Sequence, residues 1–219
     1  MRFLRLSIAL ALTVALAGPL LAAPIPGDDI ADLSERVPGT SDKTALDLLR
    51  QLFGDIEASK ESRTIGSATQ MIDLHSIGTG DDSWIGCGDR IDIGYAHARP
   101  LQFGVQRRVV LVIALDDECA GPLAMFDADC KLIHAVNLKG DQHITWSGDY
   151  FRPLGPAGAL LIAHNWHDNS SQSYDADSLI LAKPDGFASI GDVFAFGSRD
   201  CRGQFTEDAT IGTVPAKPM

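Results

Sequence analysis

The sequence predicts a mostly β protein: a single antiparallel β domain, sandwich-like or propeller-like, preceded by one short helix. From about residue 69 onward, apolar residues recur with period two or in short continuous runs. Clusters of Asp, Gly and Pro punctuate these runs as turns. Helical spacing occurs once, near the N-terminus.

The chain begins with an export signal. Arg2 and Arg5 precede an apolar run, Leu6 to Ala17, in which only Ser7 and Thr13 are polar. Gly18-Pro19 breaks the run before Leu20-Leu21-Ala22-Ala23. A basic start, a short apolar stretch and a small-residue exit make residues 1–22 a cleavable signal peptide, cut after Ala22. The run is shorter than the roughly 20 residues of a membrane span. The expected destination is periplasmic or secreted, with no membrane insertion after cleavage.

Loss of Arg2 and Arg5 moves the net charge from −11 to about −13. So acidic a chain repels phosphate backbones, which argues against a nucleic-acid partner. About 197 residues remain, enough for one domain with a full core.

Residues 23–40 are polar and proline-bearing, and read as a linker. The domain proper is 41–219, opening with a helix over 41–53. Thr40 or Ser41 is its predicted cap, and Asp42 lies in the first turn, where the helix dipole favours negative charge. Ala45, Leu48, Leu49, Leu52 and Phe53 form its apolar face, and Gly54 stops it.

Strands follow. Ile91, Ile93, Tyr95 and His97 alternate, and are assigned to one face. Arg107 to Leu115 is a nearly continuous β-branched and Leu run, the pattern of a central strand buried on both faces. Leu123–Phe126 and Lys131–Leu138 flank Asp127-Ala128-Asp129-Cys130 as a hairpin. Gly158 to His164 is another strand, and Leu179–Ala182 and Phe187–Phe196 flank Pro184-Asp185-Gly186. The two strand–turn–strand units resemble each other in pattern, as a repeated antiparallel unit does.

Cys87, Cys119, Cys130 and Cys201 are an even set, which in an exported chain points to two disulfides. Pairing is open. The local bridge Cys119–Cys130 conflicts with the predicted hairpin, because Cys119 falls some 20 Å from its turn while bridged Cα atoms lie within about 7 Å.

Three groups of residues are candidates for function. The segment His164 to Asp175 is polar and holds Asn165, Trp166 and Tyr174 among hydroxyls and amides, the mix of a binding loop. Trp146 and Tyr150 extend the same surface. His164 and His167, with His143 or Asp168, are candidate metal ligands for zinc or calcium. Aspartates in pairs, Asp127/Asp129 and Asp175/Asp177, follow calcium-loop spacing only in part, and read more simply as turn residues. His97 and His134 read as hydrogen-bonded core residues, and His75 as solvent-facing.

No nucleophile elbow, phosphate loop or dinucleotide fingerprint is present. The reading is therefore an exported β domain acting as a non-enzymatic binding module for an extracytoplasmic protein or glycan, needing no cofactor. The alternative is a metal-assisted periplasmic hydrolase built on His164, His167, His143 and Asp168.

Overall fold

The computed structural model describes residues 33–34, 36–40, 42–58, 64–78, 89–116, 121–139, 143–146, 150–168, 172–200 and 203–207. The signal segment, Cys87, Cys119, Cys201 and the Asp117-Glu118 pair lie outside the described residues.

The predicted mostly β class is what the chain adopts, as two sheets and one short helix. The first sheet contains β1 (Glu57–Ala58), β2 (Gly66–Ala68), β3 (His75–Ile77), β4 (Ile91–Phe103), β5 (Gln106–Leu115), β6 (Gly121–Phe126) and β7 (Leu132–Leu138). Their spatial order is β1-β2-β4-β5-β6-β7-β3. The second contains β8 (His143–Thr145), β9 (Phe151–Pro153), β10 (Ala159–Asp168), β11 (Gln172–Lys183), β12 (Gly186–Asp200) and β13 (Gly203–Glu207). It is ordered β13-β12-β11-β10-β8, with β9 also on β10. One pairing departs from the antiparallel expectation: β3 runs parallel to β7. These strands are far apart in sequence, so no tight turn imposes an antiparallel return.

The run that predicts a central strand forms β5. Val109, Leu111, Ile113 and Leu115 enter one apolar cluster with Leu48, Leu49, Leu52 and Phe53 of the N-terminal helical region. Val110, Val112 and Ala114 enter another, shared with Leu161, Ala163, Ile180 and Ala182 of the second sheet. The continuous apolar sequence follows from burial on both faces.

The neighbouring β4 corrects the predicted alternation. Its pairing with β5 slips between Ile93 and Tyr95. Ile91 and Ile93 join Ala96 on the helix side, whereas Tyr95 packs with Leu101 and Phe103 against the second sheet. Gly94 occupies this β-bulge; a Cβ there would stand 2.4 Å from Asp116 Oδ1. An inserted residue reverses the face of everything beyond it.

The helix is shorter than predicted. α1 spans Ala45–Leu49, and its N-cap is Thr44, four residues later than Thr40. Thr44 accepts a bond from the Asp47 amide while Asp47 accepts from the Thr44 amide and hydroxyl. Those bonds hold the Asp47 carboxyl below its usual range. Leu48, Leu49, Leu52 and Phe53 are fully buried, as their spacing predicts. The end of the expected linker also packs, since Leu33 and Val37 enter the same cluster.

Both predicted hairpins form. β6 and β7 flank Asp127 to Lys131, where Asp127 Oδ1 accepts from the Asp129 and Lys131 amides, each at 2.9 Å. Asp127 is thus the backbone-binding turn residue of the simpler reading. β11 and β12 flank Pro184-Asp185. Cys130 closes the first turn with φ +60° and is a buried free thiol; its predicted disulfide partners, Cys87, Cys119 and Cys201, lie outside the described residues. Burial pushes that thiol's pKa up.

The two-sided burial of β5 has a measurable counterpart. Leu111→Ala is expected to cost about 2–5 kcal/mol, and Thr44→Ala only about 1 kcal/mol. Urea unfolding followed by tryptophan fluorescence checks both values.

Candidate functional site

The segment predicted as a polar loop is the far end of the β10–β11 hairpin. Strand structure extends through Asp168 and resumes at Gln172. The register pairs His164 with Asp177, Trp166 with Asp175 and His167 with Tyr174. Period two therefore governs this polar stretch as it governs the apolar one before it. Leu161 and Ala163 point into the shared core, and Asn165 continues on their side. His164 and Trp166 share the outer face with Asp175 and Asp177.

On that face the His164 and Trp166 rings stack, with centroids 6.2 Å apart and planes 28° from parallel. His164 Nδ1 lies 3.0 Å from Asp177 Oδ1. A carboxylate only accepts, so Nδ1 carries the proton. His164 Nε2 faces Asp175 Oδ1 at 3.6 Å. The imidazole thus sits between two carboxylates that are half-exposed or exposed, and it supports one side of the indole. The result is an aromatic shelf edged by acceptors, able to meet an apolar ring face and its hydroxyl groups together.

The predicted binding residues separate. Trp166 belongs to the shelf. Tyr174 falls on the opposite face, partly buried and edge-on to Phe194 at 6.1 Å. Asn165 is also inward, 4% exposed, and its Nδ2 donates to Ser178 Oγ at 3.1 Å. Trp146 and Tyr150 are core residues, 4% and 1% exposed, not members of a surface. Trp146 Nε1 donates to the Ile113 carbonyl at 3.1 Å, across the two sheets. Arg99 Nε donates to the Tyr150 hydroxyl at 3.0 Å. Polar neighbours in the sequence suggest exposure for these two rings; partners on the facing sheet satisfy their polar atoms instead.

The backbone divides the predicted metal-ligand positions: 143, 164 and 168 fall on the face of Trp166, and 167 falls on the other. His164 and His167 are three residues apart on one strand, so the pleat assigns their positions to opposite faces. Position 143 pairs with Trp166. The side chains of His143, His167 and Asp168 lie outside the described residues. Among the described residues no group of three His, Cys, Asp or Glu side chains is arranged to hold a metal.

In the sequence, Asp175 and Asp177 read as turn residues or as part of a calcium loop, not as partners of His164 and Trp166. The usable signal was the matching period: His164-x-Trp166 on one strand and Asp175-x-Asp177 on the next. Arg99, which bonds Tyr150 and lies 5.9 Å from its ring centroid, gave no such signal.

The remaining histidines serve the core and its edge. His75 is exposed, as predicted. His97 meets Tyr150 edge-on at 6.4 Å, and burial followed by the Arg99 charge lowers its pKa. His134 packs on Phe187 at 5.8 Å, and burial lowers its pKa too. Its Nδ1 is buried without a hydrogen-bond partner, unlike the bonded core histidine predicted. Both rings resist protonation more in the folded than in the unfolded chain. Their contribution is complete above the ordinary value of 6.5 and is lost as pH falls through the lower folded value. Thermal melts should show stability declining as pH falls below about 6.5, with a shallower decline in His97→Gln and His134→Gln. Comparison with known protein families, with characterised proteins and with solved structures finds no match to this chain.

Proposed function

We propose that this chain is an exported, non-enzymatic binding module whose contact surface is the outer face of the β10–β11 hairpin, and whose partner is an extracytoplasmic glycan. The observation that carries the reading is the Trp166–His164 stack with Asp175 and Asp177 beside it on one sheet face. A sugar ring offers an apolar C–H face and a rim of hydroxyl donors. The indole suits the first and the carboxylates the second. The signal at residues 1–22 supports an address outside the cytoplasm. A strand-borne shelf also needs little ordering on contact, which favours affinity.

Immobilised oligosaccharides probe this directly. The mature protein should bind a subset of them. Trp166→Ala should retain the wild-type melting behaviour and lose about tenfold or more in affinity, roughly 1.4 kcal/mol. Asp175→Asn with Asp177→Asn should also weaken binding. Tyr174→Ala, on the other face, should not. Equal binding by wild type and Trp166→Ala removes the assigned surface. Capture of a protein with no glycan signal replaces the glycan by a protein partner.

A further inference from the structure

A second feature lies away from the aromatic shelf, at the turn end of the β4–β5 hairpin. A cleft of about 300 Å³ opens there between the chain at Pro38 to Thr40, the end of β4 and the start of β5. Pro38, Pro100 and Leu101 make much of its wall apolar, and Arg107 brings a guanidinium group to it beside Gly39; Arg108, next along the strand, also lines the cleft, but the pleat sends its side chain to the other face, where it reaches Pro184. An apolar cavity of this size with a few convergent polar groups has the form of a small-molecule site.

The arginines are placed but not neutralised. Arg107 Nη2 makes one long contact, 3.5 Å, to the Gly39 carbonyl. Arg108 donates to the Pro184 carbonyl at 3.0 Å, to the Arg107 carbonyl at 3.0 Å and to Gln106 Oε1 at 3.2 Å. Every acceptor is uncharged. Among the described residues neither arginine pairs with a carboxylate, although the chain has 29 acidic residues against 18 Lys and Arg. Arg107 is exposed, so its guanidinium is open to an anion entering the cleft. Gly39 contributes to the placement: its φ is +83°, and a Cβ on it would stand 2.6 Å from Arg107 Nη2. The positive φ favours glycine at this position.

We infer that this cleft binds a carboxylate-bearing small molecule, held by the Arg107 guanidinium as a planar fork. A guanidinium matches a carboxylate with two parallel N–H donors, which an ammonium group does not reproduce. The cavity accommodates one compact organic acid or one terminal acidic sugar unit. Free acid and acidic oligosaccharide share this chemistry, and the site is distinct from the Trp166 shelf, so its test stands apart from that one.

Titration calorimetry on the mature full chain with glucuronate, tetragalacturonate, glucose, sulfate and phosphate tests the inference. Glucuronate or tetragalacturonate should bind and glucose should not. Equal affinity for the two acids identifies the free acid as the ligand class, and tighter binding of the tetramer identifies the oligosaccharide. Arg107→Gln should weaken acid binding at least tenfold with an unchanged melting temperature in the absence of ligand. Arg107→Lys should restore only part of it, because the charge returns without the fork. Absence of heat with both acids overturns the inference, as does equal binding by wild type and Arg107→Gln. Sulfate and phosphate binding as tightly as the acids overturns the carboxylate assignment.

Discussion

The structure depends on the burial of β5 on both sides. Seven consecutive residues, Val109 to Leu115, are buried, and the pleat sends them alternately to two different cores. Burying each of the Val, Leu and Ile side chains among them stabilises by about 1.5–3 kcal/mol. A strand with two apolar faces needs two covering layers. The N-terminal helical turn region supplies one, and the second sheet supplies the other. The rest of the architecture is the arrangement that keeps water off both.

The contact between sheets is more than apolar. The Tyr95 hydroxyl donates to the Trp146 carbonyl at 3.2 Å and accepts from the Trp146 amide at 2.7 Å. Trp146 in turn bonds Ile113 on β5. Burial pushes the Tyr95 pKa far above its ordinary value, so the phenol remains a donor throughout the working pH range. This brace exists only because the Gly94 bulge turns Tyr95 toward the second sheet. A strictly regular strand would place it on the helix side with Ile93.

These features differ in how far they can be read from sequence. The β5 run and the two Asp-bearing turns were legible because burial and turn chemistry are local patterns. The bulge was not, since a single glycine in a strand announces a bulge without giving its register. The helix was overextended because Leu52 and Phe53 keep helical spacing while lying beyond its end. The segment after His164 read as a loop because polar residues on both faces conceal the period of two. Trp146 and Tyr150 read as surface because the groups that satisfy them, Ile113 and Arg99, are distant in sequence. Of the candidate surface, Trp166 was legible by type; its support from His164 and the two aspartates depends on cross-strand register, which one strand's sequence does not contain.

The turn at Cys130 ties the helical layer to the sheet. Gln51 Nε2 donates to the Cys130 carbonyl at 2.8 Å, and Gln51 Oε1 accepts from the Leu132 amide at 2.9 Å. One side-chain amide thereby occupies the place of a neighbouring strand, bonding a carbonyl and an amide two residues apart. The helical layer cannot lift away without exposing both groups, and the turn cannot open without releasing the helix. Hydrogen exchange at Leu132 therefore reports on the docking of a segment some 80 residues earlier in the chain. The covering layer and the β6–β7 turn are thus one cooperative unit.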